Sequence, residues 1–353
     1  GNAASVAGVT KAASLAALYS PFHAVYNIGG ANVWDIFTPT WDTYVDELPR
    51  LSWEDHSGTR NPLWLGTTSS DWDTGSNWRG GAAPTANAVA IINGANPITL
   101  GTDKSIAGFI MNTGTFNQNA NLTVNGDYIQ LGGTFTSTNP TANTFSITGS
   151  FTIPDIAGSF NRYGTQVDGA YMVRDVYDLQ AMKGYLSSNF TLSQNIDASS
   201  TSHWNYDFAS GNYLGFDPIG NLGAGYTKIF EGNSKTIAGL AINRRAEDYV
   251  GLFGFTDGAM IQNVGLVGGS VNGNLDVGGL VGIFRYGGIV KSFSSMEVSG
   301  NQCVGGLAGV TVSSGIIDSY SVGNVAGAYY VGGLVGFNSA TSISNSYATG
   351  NVV

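Results

Sequence analysis

Apolar and polar residues recur with a fixed period over the last part of the chain, from position 250 to 353. The tetrapeptide Gly-Leu-x-Gly begins at Gly251, Gly279, Gly306 and Gly333, with spacings of 28, 27 and 27 residues. A fixed period of this kind indicates stacked structural units. Each unit holds short apolar or β-branched runs separated by Gly, Asn and Ser, and lacks the longer periodic run that a helix needs. The pattern therefore predicts coils of short β-strands.

Two apolar positions keep the same step and define columns of residues that are expected to lie over one another. The columns are Ile261, Ile289, Ile316 and Ile343, and Val271, Val298, Val325 and Val352. In stacked coils, equivalent strands pair in parallel about 4.8 Å apart, so that each column forms a continuous core. The crossover preference of parallel strands favours a right-handed coil. We predict an all-β protein whose residues 199–353 form a right-handed parallel β-helix, or β-solenoid.

The direction of the side chains around the Gly-Leu-x-Gly motif stays open at this point. Between positions 277 and 283, strand alternation buries either Val277, Val281 and Ile283 or Leu280 between glycines, because a one-residue shift exchanges the two faces. Residues 250–353 contain 23 of the 51 glycines. These glycines suit corners that need positive φ and places where backbone passes close to backbone.

The repeats resemble the GLUG-motif repeats of large bacterial surface exoproteins, which include filamentous-haemagglutinin-like adhesins. Beyond the four motif cores, the likeness covers residues 331–337 and 343–352, the lead-in at 230–237, and the upstream segments 175–182, 195–198 and 215–220. The resemblance implies a secreted, repetitive β-solenoid that serves adhesion or surface structure, and it transfers no catalytic residue. An amino-terminal secretion domain of the two-partner haemagglutinin type is not recognisable.

A weaker ladder precedes the repeats. The triplets Ile98-Thr99-Leu100, Leu122-Thr123-Val124 and Phe145-Ser146-Ile147 step by 24 and 23 residues. Strand alternation with Gly or Asn corners predicts a first β-solenoid stretch here, over residues 64–165.

One short helix is predicted between the two ladders, from Asp175 to Leu186. Leu179, Met182 and Leu186 fall on one helical face, Asp175 can cap the start, and Gly184 weakens the end. We assign residues 166–198 to a helix-containing connector that covers a flank of the solenoid.

Six of the seven tryptophans lie before the repeats, and this concentration of aromatic residues indicates that a distinct front segment, residues 1–63, precedes the solenoid. These tryptophans are Trp34, Trp41, Trp53, Trp64, Trp72 and Trp78. A short helix is compatible with residues 12–18, but the pattern does not define the fold of this segment. The tryptophans could stack on sugar rings, yet packing in a core or an interface is the preferred interpretation.

Composition favours an exported protein that does not bind nucleic acid. The chain has 353 residues, 11% charged residues and a net charge of −10, and its 14 Lys and Arg residues form no basic stripe. The longest apolar run near the start is far shorter than the roughly 20 residues of a membrane span. The single cysteine, Cys303, excludes an intramolecular disulfide and is expected to be inert. We expect an extracellular or cell-surface location, in a bacterium.

The sequence offers little catalytic chemistry, so we predict that the protein is not an enzyme. His23, His56 and His203 lie in different regions without a second ligand at helical or hairpin spacing. The repeat carboxylates occupy different repeat positions and form no acidic column; they are Asp257, Asp276, Glu297 and Asp318. The alternatives are a β-helix polysaccharide lyase or hydrolase, in which carboxylates share one face, and a passive carbohydrate-binding module.

One segment is a candidate metal site. Asp71, Asp73 and Asn77 place oxygen side chains near a glycine turn, and such a loop could bind calcium. The spacing departs from an EF-hand, because glycine falls at the fifth position and no glutamate closes the loop. A turn whose Asp and Asn side chains cap their own backbone is the preferred interpretation. No other cofactor is expected.

The expected function is that of a structural or adhesive β-solenoid. Its predicted partners are a cell-surface glycan or protein receptor, or copies of itself. Val352 matches the valine column, yet no capping segment follows Val353, so a strand edge is left to be covered. Either a further repeat of a longer chain covers this edge, or the front segment of another copy docks there and generates a head-to-tail fibre.

Overall fold

The computed structural model describes residues 61–353 apart from 138, 140–141, 154–158 and 208–209, together with the backbone of residues 41–44 and 47–51. In the front segment, strands Trp41–Tyr44 and Glu47–Leu51 pair antiparallel. The predicted helix at residues 12–18 and the side chains of Trp34, Trp41 and Trp53 lie outside the described residues.

The first solenoid stretch consists of three parallel sheets, which we name A, B and C in the order in which the chain visits them. Sheet A holds Val89–Asn93, Gly108–Thr113, Tyr128–Gln130 and Phe151–Thr152. Sheet B holds Ile98–Leu100, Thr115–Gln118, Thr134–Thr136 and Phe160–Asn161. Sheet C holds Lys104–Ile106, Leu122–Val124 and Phe145–Ile147. One strand from each sheet makes one rung, so the predicted parallel solenoid is confirmed for this stretch.

The register corrects one step of the predicted ladder. Leu122 pairs with Phe145, as the 23-residue step requires, but its partner on the other side is Lys104 and not Ile98. Ile98 lies on sheet B and pairs with Phe116. The 24-residue step was wrong because the apolar triplets of two adjacent sheets look alike in sequence, so the pattern joined strands from different faces.

Aromatic rings fill the interior of the first stretch. Phe109 stacks on Tyr128 with 4.9 Å between ring centroids and 2° between planes. At the start of the stretch, the rings of Trp64 and Trp72 both pack edge-on against Trp78, at 5.0 and 4.7 Å. All three indoles are at most 2% exposed, which confirms packing over sugar stacking for these tryptophans.

The connector contains the predicted helix. The α-helix spans Val176–Ala181 and continues as a 3₁₀ turn, Met182–Gly184. The Asp175 carboxylate accepts a hydrogen bond from the backbone N–H of Asp178 at 2.7 Å, and this bond caps the first turn. Leu179 and Met182 are fully buried.

Four parallel sheets, named D to G in chain order, build the second stretch. Sheet D holds Ala170–Val173, Asn189–Leu192, Ile196–Asp197, Ile229–Ala238, Met260–Val267, Gly288–Val290, Phe293–Ser294, Gly315–Ile317, Tyr320–Ser321, Ser342–Ser344 and Tyr347–Ala348. Sheet E holds Ala241–Asn243, Ser270–Asn272, Glu297–Ser299 and Val325–Ala326. Sheet F holds Leu275–Gly278, Gln302–Gly305 and Tyr329–Gly332. Sheet G holds Phe253–Asp257, Val281–Arg285, Ala308–Val312 and Val335–Ser339.

Both predicted columns are confirmed in register. Ile289 pairs with Ile261 on one side and with Ile316 on the other, and Ile316 pairs with Ile343. The valine column pairs in the same way on sheet E, from Val271 to Val352. The repeat is therefore one rung of a parallel β-solenoid.

The Gly-Leu-x-Gly motif forms the corner between sheets F and G. Val277, Leu280 and Val281 are all fully buried, so neither of the two simple alternations describes the segment. Strand alternation breaks at the corner, because Gly278 ends one strand and Val281 begins the next. The corner therefore points residues from both alternations into the core.

The motif glycines are needed because neighbouring backbone passes close to them, and not because they adopt a positive φ. A β-carbon on Gly279 would lie 2.6 Å from the carbonyl oxygen of Gly306. Corners in the left-handed region are occupied instead by larger residues, with φ between 46° and 62°, in three columns. The columns are Asn263, Lys291, Asp318 and Asn345; Tyr249, Asp276, Cys303 and Tyr330; and Tyr286, Ser313 and Ala340. Gly258, at the start of the third column, and the pair Gly268 and Gly269 do adopt positive φ as expected, so the expectation holds for some corners and fails for most positions of these columns.

Hydrogen bonds to the next rung offset the strain at these corners. The backbone N–H of Lys291 donates to the carbonyl oxygen of Ile317 at 3.0 Å, and that of Asp318 donates to Ser344 at 3.2 Å. Serine hydroxyls add a second link, since the N–H of Ser292 donates to Oγ of Ser319 at 3.2 Å. A non-glycine residue in this conformation costs about 1 kcal/mol or more, so each corner depends on its neighbouring rung.

Candidate functional site

One candidate site is a groove of about 660 Å³ on the outer face of sheet E. Because strand residues alternate, the residues on either side of each buried Ile or Val point outward. They form two columns that run along the solenoid axis. The first column is Ala241, Ser270, Glu297, Asn324 and Asn351, and the second is Asn243, Asn272, Ser299, Ala326 and Val353.

Arg245 organises the second column. Its Nε donates to Oδ1 of Asn243 at 3.3 Å. With the Asn272 amide turned so that its oxygen faces the guanidinium, Nε and Nη2 of Arg245 donate to that oxygen at 2.7 and 2.9 Å. The guanidinium thus links two rungs and fixes two amides at the rim of the groove.

The first column contains a carboxylate paired with an amide. Nδ2 of Asn324 donates to Oε1 of Glu297 at 3.2 Å, and the backbone N–H of Asn351 donates to Oδ1 of Asn324 at 3.0 Å. Among the described residues that line the groove, Glu297 is the single carboxylate and Arg245 the single cation. The side chains of the groove are consequently polar and carry no net formal charge.

An aromatic group closes one end of the groove. Strands Tyr206–Asp207 and Asn212–Tyr213 pair antiparallel and place Tyr213 in the groove wall. The Tyr213 ring packs edge-on against Tyr206 at 5.0 Å and against His203 at 5.5 Å. His203 also lies within hydrogen-bond distance of Oγ of Ser202, at 3.0 Å from its Nδ1.

A second cavity, of about 430 Å³, lies where the connector meets the second stretch. Asp217 is ion-paired with Lys183, and its Oδ1 lies 3.6 Å from Nη2 of Arg244. Nη1 of Arg244 in turn contacts Oε1 of Glu247 at 2.8 Å. Charges of opposite sign alternate along this network, an arrangement that suits a structural clamp better than a free general acid or base.

A buried cluster ties the connector helix to the first stretch. The fully buried Arg162 donates from Nε to Asp178 at 2.8 Å and from Nη2 to Asp175 at 2.6 Å. Burial works against the charge of this guanidinium, but the two carboxylates outweigh burial and raise the Arg162 pKa above its usual value. Because the carboxylates already hold Arg162, this cluster anchors the helix.

Two residues of the predicted calcium site, Asp71 and Asn77, are engaged within their own loop. Oδ1 of the buried Asn77 accepts from the backbone N–H groups of Thr68 and Ser69 at 2.9 and 3.0 Å. Oδ2 of Asp71 accepts from Oγ1 of Thr74 at 3.0 Å. These contacts are those of side chains that cap a turn, and calcium binding at this loop stays a prediction.

Asp73 faces away from this capping network and toward a neighbouring rung. It pairs with Nζ of Lys104 at 2.5 Å and accepts from Oγ1 of Thr102 at 2.5 Å. Burial opposes its charge, but Lys104 and Thr102 outweigh burial and hold the Asp73 pKa below its usual value. Within the described residues, no group of three or more His, Cys, Asp or Glu side chains could hold a metal ion.

Cys303 lies at a corner, beside Asp276 of the preceding rung. Burial raises the pKa of its thiol to about 11, and the Asp276 carboxylate adds to this shift. A thiol with a raised pKa is a poor nucleophile at neutral pH. Its placement fits a packed residue, as the sequence predicts.

The groove was not predicted from the sequence. The signal is present as a 27-residue step of polar residues from Glu297 through Asn324 to Asn351, flanking the valine column. A polar column of Ser, Asn and Glu carries no catalytic pattern, so a search for paired carboxylates and metal ligands passes over it.

Comparison with known proteins identifies the repeat but not a family for the whole chain. The GLUG motif matches residues 327–353, which confirms that part of the resemblance. Halomucin from Haloquadratum walsbyi is 33% identical over 174 residues, a match that covers 42% of this chain. The chain spans only 2% of the length of Halomucin. No solved structure matches.

These matches support a surface-related protein in general terms. Kinship with filamentous-haemagglutinin-like adhesins and a bacterial origin stay predictions. Among the residues that the structure describes, none of the helices is long and apolar enough to cross a membrane.

Proposed function

We propose that the protein is a non-enzymatic structural solenoid of an extracellular surface, with an adhesive role. The observation that carries this proposal is the register of its repeats, in which Ile261, Ile289, Ile316 and Ile343 stack one above another. Such a column builds a rigid, extended object from one repeated unit, and the surface of that object is suited to contacts. The GLUG motif and the partial likeness to Halomucin support the same assignment.

The absence of catalysis is part of the proposal. Glycoside hydrolysis usually needs two carboxylates that flank the scissile bond. The described lining of the sheet E groove holds Glu297 as its one carboxylate side chain. Among its described residues, the second cavity holds four carboxylates: Asp217 and Glu247 are ion-paired, Asp248 accepts from Nδ2 of Asn274 at 2.8 Å, and Asp207 accepts from the backbone N–H of Ser210 at 3.1 Å. Both features support a binding or structural role over hydrolysis.

Two experiments test the proposal. Antibodies raised against residues 199–353 should label intact cells of the source organism without permeabilisation, and labelling that requires permeabilisation would contradict the surface location.

Incubation with neutral and acidic polysaccharides, with and without calcium, should yield no new reducing ends and no unsaturated products. Turnover that is lost in Glu297→Gln would assign catalysis to the groove and overturn the non-enzymatic role.

The partners remain part of the proposal as well. A cell-surface glycan, a protein receptor and further copies of the chain are the three candidates. Electron microscopy of the purified native material separates single particles from fibres. Fibres that persist after deletion of residues 1–60 would exclude docking by the front segment.

A further inference from the structure

We propose that the groove on sheet E binds a neutral, linear glycan that lies along the solenoid axis. This inference goes beyond the structural role proposed above, because it assigns a ligand class to a defined set of residues. The groove crosses successive rungs, and each rung presents one residue of each outward column.

The spacing of the groove favours a polymer with a repeat similar to that of the rungs. Parallel strands lie about 4.8 Å apart, so polar groups in one column recur at that interval. Glu297, Asn324 and Asn351 form such a row. The length of one pyranose unit in an extended chain is close to this spacing, so that successive sugars would meet equivalent side chains.

The backbone of sheet E argues against an added peptide strand. From Ile242 to Val325 its strands pair on both sides, so this part of the groove floor offers no free strand edge. Recognition by strand addition needs such an edge. A ligand in this groove therefore meets side-chain amides, hydroxyls and one guanidinium, which match the hydroxyl groups of a sugar chain.

Charge favours a neutral chain over a polyanion. Arg245 and Glu297 balance each other within the groove, and the protein carries a net charge of −10. A uronic acid polymer would meet one cation against this background, whereas tight binding of polyanions depends on clustered cations. At the end of the groove, Tyr213 offers an aromatic ring beside these polar groups, the usual composition of a site for small polar ligands.

The test is isothermal titration of the purified 353-residue protein with cellohexaose, chitohexaose and mannohexaose. At least one of these neutral hexasaccharides should bind. Ser299→Trp, which fills the groove, should weaken that binding at least tenfold. Ser344→Trp is the matched control, because Ser344 is exposed on sheet D, and it should bind as the native chain does.

A second variant tests the role of Arg245, the single cationic side chain in the described lining of the groove. Arg245→Ala should weaken binding about tenfold, the loss expected when hydrogen bonds from a charged group are removed. Circular dichroism melting shows whether each variant is folded. Hexagalacturonate and a hexapeptide of Ser and Asn are the competing probes.

Three results would overturn the inference: no binding of any neutral hexasaccharide, equal binding by folded Ser299→Trp, or tighter binding of hexagalacturonate or the peptide. None of these results bears on the surface location, which antibody labelling tests separately. Failure of the groove and failure of the proposed function are therefore distinguishable.

Discussion

Gly306 lies against Ser321 across the interior of the solenoid. The small size of both residues allows the backbone at Gly306 to pack close to sheet D. A β-carbon on Gly306 would lie 2.1 Å from Oγ of Ser321 and 2.3 Å from the carbonyl oxygen of Gly333. The preceding rung repeats the contact between Gly279 and Ser294. The first glycine of the GLUG motif is thus required because a small residue on sheet D faces it.

Replacement of this glycine should be destabilising. Gly306→Ala forces the backbone of the next rung to move, because the carbonyl oxygen of Gly333 cannot rotate away as a flexible side chain could. We expect a loss of about 1–3 kcal/mol in the free energy of unfolding, measured by urea denaturation. Gly315→Ala is the control: its β-carbon would meet nothing within 4 Å, and its stability should stay within about 0.5 kcal/mol of the native value. Equal midpoints for the two variants would contradict this account.

The isoleucine column allows a similar comparison between adjacent residues. Ile316 is fully buried, whereas Ile317 points outward and is 41% exposed. Ile316→Asp leaves an unpaired charge in the core and should cost about 4 kcal/mol, with Ile317→Asp nearly neutral. Thermal melting followed by circular dichroism measures both. A melting temperature of Ile316→Asp that matches the native value would remove the evidence that this column is the core.

Cys303 should resist alkylation in the folded protein. Because its folded pKa of about 11 lies above the usual 9.0, the thiolate fraction at pH 8 is roughly a hundredfold lower than in the unfolded chain. Any stability linked to this proton is present below pH 9 and is lost as pH rises toward about 11.

Reaction with iodoacetamide at pH 8, with and without urea, measures the effect. Asp276→Asn removes a negative charge beside the thiol, so it should raise the rate in the folded state and leave the rate in urea unchanged. Equal rates for the folded and unfolded native protein would show that the thiol is not protected.

The loop at Asp71 gives a prediction about calcium. The Asn77 amide is occupied by backbone groups and Asp73 by Lys104, so we expect added calcium to leave the melting temperature unchanged. A rise in melting temperature that saturates with calcium and disappears in Asp71→Asn would establish the metal site instead. Magnesium at the same ionic strength controls for screening of surface charge.

The GLUG region could be predicted in detail because its columns repeat identical residues at an identical step. Ile289 above Ile316 is a register that the sequence itself records. The first stretch lacks this property: Lys104, Leu122 and Phe145 share one column but not one residue type, so the pattern placed Ile98 there instead. Aromatic rings of several kinds can fill the same interior, and the signal for register is then lost.

The groove and the corners were beyond sequence reasoning for a different reason. Positive φ at Asp276, Cys303 and Tyr330 cannot be inferred from residue type, since only the contacts of the neighbouring rungs impose it. Likewise, Arg245 reaches Asn272 because two rungs lie side by side, although the two residues are 27 positions apart in the sequence. Both features depend on the stacking and not on a local pattern.

The hydrogen bonds between rungs run along the solenoid axis, as the bonds from Lys291 to Ile317 and from Asp318 to Ser344 illustrate. A force applied along that axis therefore breaks these bonds in sequence, one rung after another. In a sheet that is loaded in shear, all the bonds between two strands must break together. Each rung that detaches frees 27 residues and about 90 Å of extended chain. A surface protein built in this way would lengthen in many small steps under tension. Each step would dissipate mechanical energy, whereas a stiffer fold would transmit the full load to its attachment points.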